Sequence, residues 1–193
     1  MFQNITPITK NIIILNVIVF ILAMLIPQSY QYLAAFFPTS PYFKSWQIIT
    51  HMFMHGGFMH IAFNMLTFAS FGPVLERFLG EKKFVILYFL SGLGAFVLFN
   101  LWEYYQLYQD AQPLIVEGLQ FSDILKGDFE KFPVRLEGNA QNIVNILSTP
   151  MVGASGAIFG VIAAFSLLYP NAEMFIMFIP FPIKAKVLFP ISI

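Results

Sequence analysis

Residues 48–75 read IITHMFMHGGFMHIAFNMLTFASFGPVL. The run carries no charge and is long enough to cross a hydrocarbon core of about 30 Å, which takes about 20 helical residues. It holds all three histidines of the chain, His51, His55 and His60, and Asn64 follows His60 by four positions. On a helix His60 and Asn64 therefore share a face. Polar side chains inside a membrane are costly, so this pair is expected to face the bundle interior or a wet cavity. There it either serves a function or holds neighbouring helices by hydrogen bonds. The pair alone leaves both readings open. His51 and His55 also stand four apart, but no carboxylate or thiolate lies nearby to complete a usual zinc set, and no metal is expected.

Three more uncharged stretches flank this one: Asn11–Ile26, Phe84–Trp102 and about Gly153–Tyr169. A fifth apolar region, Met174–Ile193, is broken by Pro180, Pro182, Lys184 and Lys186, and only its last residues look like the start of another span. The composition agrees. Of 193 residues 58% are hydrophobic and 10% charged, with 24 Phe and nine Met, more large apolar side chains than a soluble domain of this size can hide. Ten Lys plus Arg balance ten Asp plus Glu, so no global field points to nucleic acid. The absence of Cys excludes a disulfide framework and a thiol nucleophile. Lys10 precedes the first span, but Pro27, Gln28 and Ser29 follow it in place of a small-residue cleavage site, so the span is read as an uncleaved helix.

Basic residues near span ends set orientation. Lys10, Arg77, Lys82, Lys83, Lys184 and Lys186 fall on one side if the spans alternate, which makes that side, and the N-terminus, cytoplasmic. The opposite side receives the loop around Lys44 and a long segment, 103–150, with seven acidic and three basic residues. That segment is expected to be a long extracytoplasmic loop, with Ala140, Ile143, Val144 and Leu147 forming an amphipathic surface turn. The whole of 1–193 reads as one membrane domain.

A second constellation is Gly153-Ala154-Ser155-Gly156-Ala157, with Gly160 four residues after Gly156. Small residues at this spacing let helix backbones approach closely, and a serine among them often only bonds a neighbouring carbonyl. Depth favours a catalytic reading. Ser155 lies fourteen residues before Tyr169 and His60 fifteen before Leu75, which puts both about 21 to 23 Å above the cytoplasmic helix ends. Thr149 and Pro150 look like an N-cap and a first helical residue. That start would tie up the Ser155 N–H, whereas a nucleophile whose N–H also meets an oxyanion needs it free in a first turn. We therefore expect Met151–Ala154 to be irregular and the helix to begin within about two residues of Ser155.

At these residues the chain resembles the rhomboid family of intramembrane serine proteases. The stretch Trp46 to Asn64, then Gly72 and Glu76-Arg77-Phe78-Leu79-Gly80, and finally Gly153-Ala154-Ser155-Gly156 carry the resemblance. It implies an all-α integral membrane protein, a rhomboid-like helical bundle with four complete transmembrane helices, a partial fifth and no sixth. It also implies Ser155 as nucleophile, with His60, Asn64 and the Ser155 N–H holding the oxyanion. His55 would be a structural hydrogen-bonding residue, Trp46 part of the first loop, and Phe159 would pack near the base. Gln47 stands where family members often have Arg. The family's base histidine lies on a sixth helix that 1–193 does not contain, so the chain is expected to be C-terminally truncated and inactive alone. The implied function is endoproteolysis of transmembrane segments of membrane proteins, with no cofactor and with the lipid bilayer, of a bacterial inner membrane, as its setting. The competing readings are a non-catalytic rhomboid-like protein that binds membrane proteins and, more weakly, a small transporter.

Overall fold

The computed structural model describes residues 5–131, 138–174 and 183–187. The fold is all-α. Helix α1 spans Pro7–Leu25; short helices α2, Ser29–Leu33, and α3, Gln47–Thr50, follow, and a 3-10 turn at His51–Phe53 leads to α4, Phe58–Leu79. Helix α5 runs from Glu81 to Val116, α6 from Phe121 to Lys126, α7 from Asn139 to Ser148 and α8 from Ser155 to Leu168. A two-residue antiparallel pairing, Glu173–Met174 with Ile183–Lys184, follows. The expected partial fifth span falls largely on 175–182 and 188–193, outside the described residues.

Helices α1, α4 and α5 are long and apolar enough to cross a membrane, while α8 is apolar but only 14 residues long, about 21 Å. This is an integral membrane protein, and its outward faces match that solvent: Ile14, Ile18, Leu22 and Leu25 of α1 and Leu90, Val97, Leu98 and Leu101 of α5 are exposed. Helix α8 packs against both α4 and α5, and α1 lies against α4. Phe68, Leu75, Tyr88 and Val161 are buried in the core that results.

Two small residues of α8 set its distance from α5. A methyl at Gly156 would sit 2.3 Å from Ala95 Cβ, and one at Gly160 1.9 Å from Ser91 Oγ. The small-residue spacing is therefore used for helix packing, whatever else Ser155 does.

Glu76, near the end of α4, is buried and fastens the start of α1. Its carboxylate accepts from the Ile8 N–H at 3.0 Å, the Thr9 N–H at 2.8 Å, Thr9 Oγ1 at 2.8 Å and Thr6 Oγ1 at 2.5 Å. An anion at a helix N-terminus meets donors that have no partner inside the helix and the favourable end of its dipole.

The region beyond Trp102 differs from the expected loop. Helix α5 continues fourteen residues past it and reaches a length of about 54 Å. Charged residues end the membrane-compatible stretch but not the helix, because no Gly or Pro occurs from 103 to 112, Pro113 falls only in the last turn, and Leu107, Ala111 and Leu114 keep one face apolar. That face meets Ile124 of α6, Ala140, Ile143 and Leu147 of α7 and Phe37 of the first connection in a second core. The amphipathic pattern at Ala140–Leu147 is thus a full helix with its apolar side buried. Ser40 Oγ donates to Leu147 O at 2.6 Å and ties the first connection to the same unit.

Candidate functional site

The site forms where the segment before α4 meets the segment before α8. The Gly153 N–H donates to His51 O at 2.9 Å. Ala35 and Met151 exchange two backbone bonds, Ala35 N to Met151 O at 3.0 Å and Met151 N to Ala35 O at 2.8 Å. Residues 151–154 are accordingly extended or irregular, and the helix begins at Ser155, as the requirement for a free N–H demanded. Ser155 occupies the first turn of α8, where an N–H has no acceptor within the helix. The expected alternative of helical bonding from Pro150 onward does not occur, because Met151 is held in the bridge to Ala35.

Gly153 brings the two halves together. Its φ is +121°, a backbone conformation that other L-residues rarely adopt, and a methyl there would lie 2.8 Å from His60 Nε2 and 3.6 Å from Ser155 Oγ. Imidazole and hydroxyl therefore flank one glycine. On the other side of the His60 ring, the Gly56 N–H points at Nδ1 over a long 3.4 Å. Nδ1 can only accept from an N–H, so the neutral ring carries its proton on Nε2, the nitrogen on the Gly153 side. Asn64, one turn further along α4, is buried, and its Nδ2 donates to His60 O at 3.0 Å. Each amide nitrogen has two hydrogens, so one remains after that bond.

The other histidines are placed differently. His51 is buried, with Nδ1 2.8 Å from Gln47 O and its ring 5.6 Å from that of Phe96. His55 lies in the segment before α4, 3% exposed, and neither ring nitrogen has a hydrogen-bond partner among the described residues. It packs edge-on against His60, with ring centroids 5.0 Å apart. No well-formed hydrogen bond from the His55 ring is seen among the described residues, although the Phe53 backbone beside it favours the charged form of the ring. Burial first, and then the neighbouring His60, push the His55 imidazole down to about 4. Phe159, expected near a base, is exposed on α8.

Two residues matter more than their types suggested. Trp46 is half exposed and anchored by Nε1 to Tyr32 O at 2.9 Å. Gln47 is fully buried; its Oε1 accepts from the Lys44 N–H at 3.0 Å, and its Nε2 donates to Gln31 O at 3.1 Å and Tyr42 O at 3.2 Å. The amide thus knits the first connection, a role that needs a donor and an acceptor and not a charge. No sequence signal marks this, since it depends on how the chain from Gln31 to Lys44 folds back around the amide.

Comparison with known proteins agrees with the geometry. A family model described as Rhomboid domain matches residues 42–120, which takes in Trp46 through α4 and ends before Ser155. Over 146 residues, 76% of this chain and 32% of the relative, the chain is 32% identical to Rhomboid protein 1, mitochondrial, of Saccharomyces cerevisiae. The chain belongs to the rhomboid family. It is also similar to two bacterial rhomboids. It is 33% identical over 93 residues to Rhomboid protease GlpG of Klebsiella pneumoniae, 47% of this chain and 34% of that one. It is 42% identical over 48 residues to Putative rhomboid protease YdcA of Bacillus subtilis, 25% of this chain and 24% of that one. The matched stretches thus span about a third or less of the length of these rhomboid relatives.

Proposed function

We propose that this rhomboid chain supplies the nucleophile and oxyanion site of an intramembrane serine endopeptidase that cleaves transmembrane segments of membrane proteins. The observation that carries the proposal is the convergence of His60 Nε2 and Ser155 Oγ on Gly153. In this reading Ser155 Oγ attacks the scissile carbonyl carbon and gives its proton to a general base, while the carbonyl oxygen becomes an oxyanion. Nε2–H of His60, the remaining amide hydrogen of Asn64 and the Ser155 N–H are the donors that meet it. Prearranged donors of this kind stabilise developing charge without reorganising during the reaction. The base then returns its proton to the leaving amine, and water releases the acyl group.

None of the three histidines suits the base role. His60 presents a proton and not a lone pair, His51 is committed to Gln47 O, and His55 is buried behind His60. In this reading the base is the histidine that the resemblance places on a sixth helix, and we propose that 1–193 by itself is inactive. We further place the N-terminus on the cytoplasmic side of a bacterial inner membrane, with 1–193 acting as one membrane domain; the distribution of Lys and Arg supports that orientation.

The test joins the chain to the last helices of a rhomboid relative and measures labelling of the serine by a fluorophosphonate. Labelling is expected in the joined form, absent from 1–193, and absent from the joined Ser155→Ala form. Equal labelling with alanine at 155 removes Ser155 from the mechanism. No labelling in a joined form that folds and inserts removes the protease reading.

A further inference from the structure

Beside the buried stripe of α5 and α7 lies an open one. Helix α7 runs antiparallel to the outer half of α5, with Asn142 Nδ2 3.4 Å from Asp110 Oδ1. Seven residues before Asp110 stands Glu103, and seven after Asn142 stands Thr149. Between the two helices is a cleft of about 430 Å³ whose walls include Trp102, Glu103, Gln106, Asp110, Asn145 and Pro150. Glu103 and Asp110 are half-buried in it. Among the described residues the ion pairs run from Lys131 to Asp123 and Asp128, so neither cleft carboxylate has a basic partner there.

The spacing of the charges selects the occupant. Two turns of helix separate Glu103 from Asp110 by about 10 Å. One divalent cation cannot bridge them, since its oxygens lie about 2.0–2.6 Å from the metal. A chain extended in the polyproline-II form rises about 3.1 Å per residue with three residues per turn, so basic side chains three positions apart lie on one face about 9 Å apart and meet both carboxylates. The exposed face of Trp102 adds a surface on which a cation rests favourably. The cleft ends at Thr149 and Pro150, just before the segment that leads to Ser155. Pro150, which closes it at the Glu103 end, lies five residues before Ser155, a reach of at most about 17 Å.

We propose that this cleft binds an extended peptide segment carrying Lys or Arg, next to the part of a substrate that enters the site at Ser155. That the segment belongs to a substrate rests on the protease reading; that the cleft takes a cationic chain does not. The carboxylates hold the basic side chains, Gln106 and Asn145 offer amide donors and acceptors to the peptide backbone, and the proximity of Pro150 places the basic residue within about five residues of the bond at Ser155.

The test uses the full chain with Ser155→Ala in neutral detergent and a labelled soluble peptide with two lysines three positions apart, beside the same peptide with glutamines. The lysine peptide is expected to bind about tenfold or more tightly than the glutamine one, as charge-assisted bonds allow, and to weaken with salt. Glu103→Gln and Asp110→Asn should each remove most of that preference, while Glu117→Gln, an exposed acid outside the cleft, should leave it intact. Equal binding of both peptides overturns the proposal. So does a preference that survives Glu103→Gln together with Asp110→Asn, or one lost equally with Glu117→Gln. Helicity and melting of each variant exclude misfolding as the cause. Because no cleavage is read, peptide binding with no serine labelling of the joined form sinks the protease reading alone, and labelling of the joined form without peptide binding sinks this one alone.

Discussion

His60 Nε2 stands 2.8 Å from the place a methyl group on Gly153 would take. The imidazole reaches the neighbourhood of Ser155 because residue 153 has no side chain.

Gly153→Ala should therefore displace His60 and strain a backbone at φ +121°. In the joined, base-bearing form we expect fluorophosphonate labelling to slow about 100-fold, the scale of losing one oxyanion donor. Gly57→Ala is the control, since nothing lies within 4 Å of its added carbon and its φ of 171° is ordinary extended backbone. It should leave the rate within about twofold. Comparable slowing in both would show that the His60 contact is irrelevant.

Gly160→Ala should push α8 from α5, because the new carbon would fall 1.9 Å from Ser91 Oγ and 2.3 Å from Ser91 Cβ. The expected cost is about 1–3 kcal/mol, as for other overpacked contacts, read by denaturation in detergent. Adding Ser91→Gly removes both clashing atoms and should restore most of the loss. A double variant as unstable as the single one would contradict the contact.

Glu76→Ala should free the start of α1, leaving the Thr6 and Thr9 hydroxyls and the Ile8 and Thr9 N–H groups without their acceptor. We expect a loss of about 3 kcal/mol, the scale of breaking bonds to a buried charge. Glu76→Gln, which keeps one acceptor oxygen, should lose less. Accelerated hydrogen exchange at the first turn of α1 is the local signature, and unchanged exchange there would refute the anchoring role.

His55 gives a pH dependence with a definite sign. Its folded value, about 4, lies below the ordinary 6.5. Above about pH 6.5 both folded and unfolded states are neutral and the residue contributes no slope. As pH falls from about 6.5 to about 4 the unfolded chain takes a proton that the folded one refuses, so stability drops, and below that no further loss arises from this group. His55→Leu should flatten the fall and, because both ring nitrogens lack partners, cost less than about 1 kcal/mol at pH 7.5. A large loss at that pH would instead reveal a hydrogen-bonding role.

What the sequence disclosed depended on how local each cause was. The membrane stretches were legible because lipid demands uninterrupted apolar runs, and the start of α8 at Ser155 because a free N–H requires a first turn. Shared depth also paired His60 with Ser155, since rise per residue is fixed. The continuation of α5 to Val116 was hidden because charge at Glu103 marks where apolar surroundings end, not where helical bonding does. Gln47 and Glu76 were undervalued for a related reason: their partners, Gln31 and Tyr42 for one, Thr6 and Thr9 for the other, are assembled only by the fold.

Helix α5 packs against α8 and, further along, against α7, and α7 leads through Pro150 into the irregular segment 151–154 just before Ser155. A single long helix thus supports both α8, which starts at Ser155, and α7, which leads toward it. Tilting that helix would turn the serine and the segment before it together, as a change of aim and not as a loosening.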